Sequence, residues 1–312
     1  MKIVIKSLIV VSILGLFFGG SLLDANHAGE FGYLSAVHTV ISKEKRRHKP
    51  IHVSLNMRTH LRYIAHAGGN KTAPKNTIPS FLNVAKDKHV WAIETDVHNT
   101  SDGHLILFHD DVAGPGSNMP RNDRYYGRNF SRVPYAALKN VSVEDGRHYK
   151  QRYTNQELRI PTLMEYLKIC KTYHKVAFVE LKQFSSFRYI DQTISEIKQA
   201  GMLKQTIITS KYLDELAYVH TIKEAQKIPL VAVYFHPLTS MNYRYIRMHH
   251  IAGVNMHIGG LSAYDLKMLH KMGVAYGCFV AYYNKRDLIK HYVDLGIDNL
   301  TFDTMALYYY LR

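Results

Sequence analysis

Cysteine, tryptophan and acidic side chains are all scarce in this chain of 312 residues. The two cysteines, Cys170 and Cys278, stand far apart and lack metal-ligand spacing, which excludes a cysteine-ligated metal site. A secreted protein held by disulfides would carry more of them, so the pair reads as two buried free thiols. One tryptophan stands against 23 tyrosines, and no function follows from that. Aspartate and glutamate total 25 against 40 lysines and arginines, a formal net charge of +15. Such an excess favours polyanions or anionic surfaces: nucleic acid, acidic membrane lipid or a phosphate-rich cell-wall polymer. No helix-turn-helix, zinc-finger or RNA-binding signature is present, so nucleic acid is not an expected partner.

Hydrophobic residues make up 46% of the chain and charged residues 21%, a globular composition. The length suits one large domain or two ordinary ones. Ser7 to Leu23 carries no charge and follows Lys2 and Lys6. That is long for a signal-peptide core and just enough to span a bilayer. The flanking lysines predict a cytoplasmic N-terminus with the remainder outside the membrane. No clean cleavage site follows, so a retained single-pass anchor over residues 1–23 is favoured over a cleaved signal and secretion. Residues 24–57 read as a basic linker, with the run KEKRRHKP from Lys43 to Pro50 suited to anionic headgroups or polymer.

From Arg62 onward the pattern alternates. Strand-like runs occur at 62–66, 92–97, 176–181, 206–210, 230–235, 252–257, 275–282 and 299–302, mostly separated by amphipathic helical stretches. This alternation predicts an α/β fold with a parallel sheet, and eight strands fit a TIM (β/α)8 barrel over residues 58–312. The rival, a doubly wound open sheet, would usually carry G-x-G-x-x-G after its first strand, and HAGGNKT lacks it. Residues 98 to about 160 are too long for an ordinary βα loop. They read as an insertion after the second strand, on the face where barrel enzymes contact substrate.

Catalytic groups in a barrel gather at the C-terminal ends of its strands. His66 ends the first run. Glu94 and Asp96 end the second and, two residues apart, leave the same face. Glu180 ends the third, with Lys182 on its face. Three carboxylates at one mouth need a counter-charge, and oxygen ligands suit Ca²⁺ or Mg²⁺ better than zinc. His109 follows the apolar run Leu105–Phe108, and a second histidine over the mouth would form an acid–base pair with His66.

HAGGNKTAPKNT, AIETDVHNTSDGHLILFHDD, IPTLMEY and VAFVELK, in this order, resemble the glycerophosphodiester phosphodiesterase family, a branch of the phospholipase-C-like TIM-barrel phosphodiesterases. The likeness covers most of residues 62–312 and is strongest over 62–111 and 160–182. It implies that His66 and His109 are catalytic, that Glu94, Asp96 and Glu180 hold the metal, and that Lys182 helps hold the phosphate. Phe279 occupies roughly the place of an aromatic, often tryptophan, on the family's seventh strand, and would wall the pocket. The chain departs from the family twice. Arginine usually follows the first histidine, where this chain has Ala67, and glutamate usually precedes Asn-Thr, where it has Lys75. Alanine cannot bind phosphate through two donors as arginine does, so Lys75, with Lys71 beside it, is expected to supply positive charge to the phosphate from a shifted position.

These readings converge on a metal-dependent, extracytoplasmic phosphodiesterase at the cell membrane, cleaving a glycerophosphodiester to glycerol 3-phosphate and an alcohol. Two alternatives stand beside it. One is a weakly active or non-catalytic binder of glycerol-phosphate polymer or lipid headgroups. The other is a lysophospholipase-D-like enzyme, which an apolar groove beside the mouth would favour.

Overall fold

The computed structural model describes residues 61–69, 73–144, 152–280, 286–304 and 306–311. The expected membrane segment, the basic linker and Lys71 lie outside them. No described helix is long and apolar enough to cross a membrane.

Eight parallel strands close on themselves. They are β1 (Arg62–Ala65), β2 (Ala92–Asn99), β4 (Val176–Leu181), β5 (Thr206–Ser210), β6 (Leu230–Tyr234), β7 (Gly253–His257), β8 (Ala275–Val280) and β9 (Asn299–Phe302). A short strand β3 (Leu105–Leu107) runs antiparallel to the end of β2, pairing Val97 with Leu107. Closure comes from β1, which pairs with β9 on one side and with β2 on the other. The observed strands match the predicted runs closely, except that β2 continues two residues further, because β3 offers His98 and Asn99 partners there.

Among the described residues eight helices accompany the strands: α1 (Ile78–Ala85), α2 (Leu163–Thr172), α3 (Arg188–Gln199), α4 (Leu213–Thr221), α5 (Ser240–Met248), α6 (Ala263–Lys271), α7 (Arg286–Leu295) and α8 (Ala306–Tyr310). Capping explains several starts. Thr77 accepts from the Ser80 amide at the head of α1, and Thr162 accepts from the Glu165 amide at the head of α2. Within α2, Tyr166 donates its hydroxyl to Ile93 O on β2 and accepts from Phe178 N on β4. The sheet is therefore pinned one residue before Glu94.

Alternation along the strands sets where the core ends and the site begins. Ile64, Ala92, Val176, Phe178, Ile207 and Val231 form one buried apolar cluster. His66 shares a face with Ile64, Glu94 and Asp96 share one with Ala92, and Glu180 shares one with Val176 and Phe178. Each of these strands is apolar low in the barrel and ionisable at its C-terminal end.

The stretch between β2 and α2 builds a second apolar cluster, with Ile106, Phe108, Met119, Phe130, Leu138 and Ile160 among its members. Isolated bridges, such as Ser117 with Val143 and Val112 with Asn129, tie this cap together. Cys170 and Cys278 are both buried free thiols, as expected.

Candidate active site

The turn after β1 has an unusual backbone. Ala67, Gly68 and Gly69 all have positive φ, at 47°, 77° and 73°. At Gly68 a Cβ would meet Ser80 Oγ at 2.5 Å and a Phe81 ring carbon at 2.8 Å. Glycine is therefore required both by conformation and by the close approach of α1. The left-handed Ala67 aims its amide into the barrel mouth, where it donates to Glu94 Oε2 at 2.6 Å. Asn76, also at positive φ, donates to Asp96 Oδ2 at 2.7 Å and accepts from the Thr95 hydroxyl at 2.7 Å. The turn thus orients both carboxylates of β2.

Glu94, Asp96 and Glu180 come together as expected: each offers a carboxylate oxygen within 4.8 Å of the others. Lys182 Nζ lies 2.6 Å from Asp96 Oδ1 and 2.9 Å from Glu180 Oε1. Burial alone would push Asp96 up, but the Lys182 ammonium, with His109 and His66 beyond it, holds its carboxyl below the usual carboxylate range. Burial would likewise lower Lys182, and Asp96 and Glu180 outweigh it, keeping the ammonium charged. Glu94 goes the other way. Burial first, then Asp96 and Glu180, push it well above the ordinary value against the pull of the Ala67 amide. Its Oε1 is buried without a hydrogen-bond partner. An oxygen left bare between two other carboxylates is what a divalent cation would satisfy, and the all-oxygen donor set fits Ca²⁺ or Mg²⁺.

The two histidines also meet: the His66 and His109 ring centroids are 5.7 Å apart. His66 Nδ1 contacts Asp303 Oδ1 at 2.6 Å, just past the end of β9. His109 stands half-exposed at the rim, its Nδ1 3.0 Å from Asp110 Oδ1. The Asp110 carboxylate raises His109, against burial and with help from Asp96. Lys75 Nζ sits 3.0 Å from Asp303 Oδ1 and 3.2 Å from His66 Nδ1, so its charge is already engaged by a carboxylate. Phe279, on β8, packs edge-on against Phe235 at 5.5 Å and His257 at 5.2 Å, making an aromatic ledge at the ends of β6, β7 and β8.

Three partners of the site escaped the sequence reading. Asp303 and Asn76 reach it from distant or irregular segments. Asp110 directly follows His109 in the chain, and adjacency alone gives no sign that the two side chains meet. The available signals were an asparagine directly before a helix cap and acidic residues flanking a strand-end histidine.

A closed (β/α)8 barrel with carboxylates, a lysine and paired histidines at its C-terminal mouth defines a member of the TIM-barrel class. Within that class, the chain belongs to the glycerophosphoryl diester phosphodiesterase family, whose sequence model matches residues 66–307. Among curated proteins it is 29% identical over 150 residues to a glycerophosphodiester phosphodiesterase of Caldanaerobacter subterraneus subsp. tengcongensis, covering 47% of this chain and 56% of that protein. It is 24% identical over 164 residues to glycerophosphodiester phosphodiesterase 1 of Bos taurus, covering 53% and 46%. The chain spans about half the length of these curated relatives. Among solved structures it is similar to a glycerophosphodiester phosphodiesterase from Parabacteroides distasonis, with TM-score 0.64, 19% identity and coverage of 80% of this chain and 96% of that one. An Oleispira antarctica phosphodiesterase in complex with the product sn-glycerol-3-phosphate matches with TM-score 0.64 and 19% identity, covering 78% and 92%. At these identities the likeness to solved structures concerns the fold.

Proposed function

We propose that the chain hydrolyses glycerophosphodiesters to glycerol 3-phosphate and an alcohol, using a divalent cation held by Glu94, Asp96 and Glu180. The observation that carries this reading is the meeting of three carboxylates with two histidines, 5.7 Å apart, at one barrel mouth. When bound, the cation would neutralise phosphate charge and lower the pKa of the attacking hydroxyl. His66, whose Nδ1 is engaged by Asp303, accepts at Nε2 the proton of a glycerol hydroxyl or a water. A water oxygen that attacks phosphorus, as the bond to the alcohol oxygen breaks, gives glycerol 3-phosphate directly; a glycerol hydroxyl that does so gives a cyclic phosphate, which a water then opens to glycerol 3-phosphate. His109, favoured in its protonated form by Asp110, gives its proton to the departing oxygen. Lys182 has three donors; two are spent on Asp96 and Glu180, and the third is available to a phosphate oxygen.

The enzyme acts outside the membrane, tethered through Ser7–Leu23. The uncharged length of that segment and the lysines before it support this placement. Treating intact cells with protease before fractionation tests it: a protease-resistant cytoplasmic pool would contradict both anchoring and secretion. The activity is tested by measuring glycerol 3-phosphate release from a panel of glycerophosphodiesters with Ca²⁺, with Mg²⁺ and with chelator. Turnover in the presence of metal and its loss in chelator is the expected result.

The lysophospholipase-D-like reading has one specific observation in its favour, the ledge of Phe235, His257 and Phe279. Phe235 is 47% exposed. The three rings pack against one another, with centroids 5.2–6.0 Å apart, and offer an aromatic surface beside the mouth. A monoacyl glycerophosphodiester included in the same panel decides between the two readings.

A further inference from the structure

The surroundings of Lys75 give it a different task from the one its charge first suggests. Asp303 Oδ1 meets two donors. His66 Nδ1 lies 2.6 Å away and Lys75 Nζ 3.0 Å away. The two nitrogens are themselves 3.2 Å apart. His66 and Asp303 are 14–20% exposed at the side chain, and Lys75 is 20% exposed. Asp303 is held below the usual carboxylate range, although burial would raise it, by the hydrogen bond from His66 and the charge of Lys75. An ionised carboxylate only accepts and an ammonium only donates. Nδ1 must therefore carry a proton to bond Asp303, and Lys75 and His66 share the carboxylate oxygen instead of bonding each other. Nδ1 is thereby fixed as the donor, and Nε2, on the far side of the ring, carries the lone pair.

We propose that Lys75 and Asp303 form a two-part brace that sets the tautomer and orientation of His66, so that Lys75 acts through the imidazole and is not a ligand of the substrate's phosphate. Asp303 supplies the acceptor. Lys75 pins the carboxylate in the rotamer that meets Nδ1 and balances its charge in a largely enclosed place. Both are positioning residues. The proposal rests on His66 being a proton-transfer group in the hydrolysis proposed above. Other charged groups around the ring are His109 across the mouth and Asp96 on β2, and neither contacts Nδ1.

The test compares Lys75→Met, Lys75→Arg and Asp303→Asn with the unmodified chain in three measurements. In steady-state kinetics on a glycerophosphodiester, Asp303→Asn should lower kcat by about 10²–10⁴, as expected when a catalytic histidine loses the carboxylate that fixes its tautomer. Lys75→Met should lower kcat roughly ten-fold or more with KM nearly unchanged, and Lys75→Arg should restore most of it. In calorimetry, Lys75→Met should bind sn-glycerol 3-phosphate as the unmodified chain does. In imidazole ¹⁵N spectra, His66 should carry its proton on Nδ1 when neutral, and both Lys75→Met and Asp303→Asn should mix the tautomers. A Lys75→Met protein with full kcat but KM raised or product binding weakened ten-fold makes Lys75 a phosphate ligand and overturns the proposal. So does a neutral His66 protonated on Nε2 in the unmodified chain, or kinetics and spectra untouched by Lys75→Met. If no diester is turned over at all, the proposed hydrolysis fails, and the spectra still decide whether the brace exists.

Discussion

Lys182 Nζ lies 2.6 Å from Asp96 Oδ1, and both side chains are buried. The ammonium is the internal counter-charge of the carboxylate cluster. Lys182→Met strands Asp96 and Glu180, and breaking a buried pair from one side costs roughly 3–5 kcal/mol. The melting temperature in chelator should fall by about ten degrees. The loss should be larger at pH 8 than at pH 5, because carboxylates without the lysine can take up protons at the lower pH. Adding Ca²⁺ or Mg²⁺ should raise the melting temperature of the variant more than that of the unmodified chain. Identical melting curves in chelator would remove Lys182 from this role.

Glu94 should release a proton when the site takes up a divalent cation. Burial and its two carboxylate neighbours keep it protonated well above the ordinary range, and a metal ligand must be ionised. Affinity should therefore strengthen as pH rises through the Glu94 titration. Calorimetry in buffers of different ionisation enthalpy reads the proton directly. Glu94→Gln should abolish the release and weaken binding, and an unchanged proton count in that variant would assign the release elsewhere.

Asp110 should set the alkaline limb of the activity profile. Its carboxylate is the first cause of the raised value of His109, and a general acid works only while protonated. Activity should fall as pH rises through the His109 titration. Asp110→Asn should move that limb to lower pH, so the rate loss is greater at pH 8 than at pH 6. A uniform loss at all pH values would mean that Asp110 only places the ring.

Glu215, in the first turn of α4, accepts from Phe184 N and from the Ser210 hydroxyl, each at 3.0 Å. Burial raises it from 4.5 to about 7. The folded chain thus holds a proton there that the unfolded chain has lost between these values, and stability falls as pH rises through that window. Glu215→Gln keeps both contacts, because its amide can accept from Phe184 and donate to Ser210. It should be neutral near pH 4 and stabilising by on the order of 2–3 kcal/mol above pH 7. Thermal melts at pH 4.5 and pH 8 check the sign.

Much of this architecture was legible in the sequence because the strands are short apolar runs between polar turns, and because strand alternation ties Glu94 to Asp96 and both to the core below them. His66 and Glu180 were legible for the same reason: each ends a strand. The brace was not legible. Asp303 lies 237 residues from His66, and the sequence alone does not say which strand closes the barrel. Asn76 was visible beside a helix cap, yet its bond to Asp96 depends on a left-handed backbone. Lys75 was legible as a charge but not as a partner, since ion pairing follows from the turn that carries it.

Because β1 is hydrogen-bonded to β9, His66 waits for a residue 237 positions further along the chain before it acquires its carboxylate. During synthesis, Glu94, Asp96 and Glu180 emerge early and could gather around a cation while the barrel is still open. His66 gains its partner only when the last strand docks. Closure of the barrel and orientation of the His66 imidazole are thereby the same event, and a fragment stopping short of Asp303 would keep Glu94, Asp96 and Glu180 without the carboxylate that meets His66.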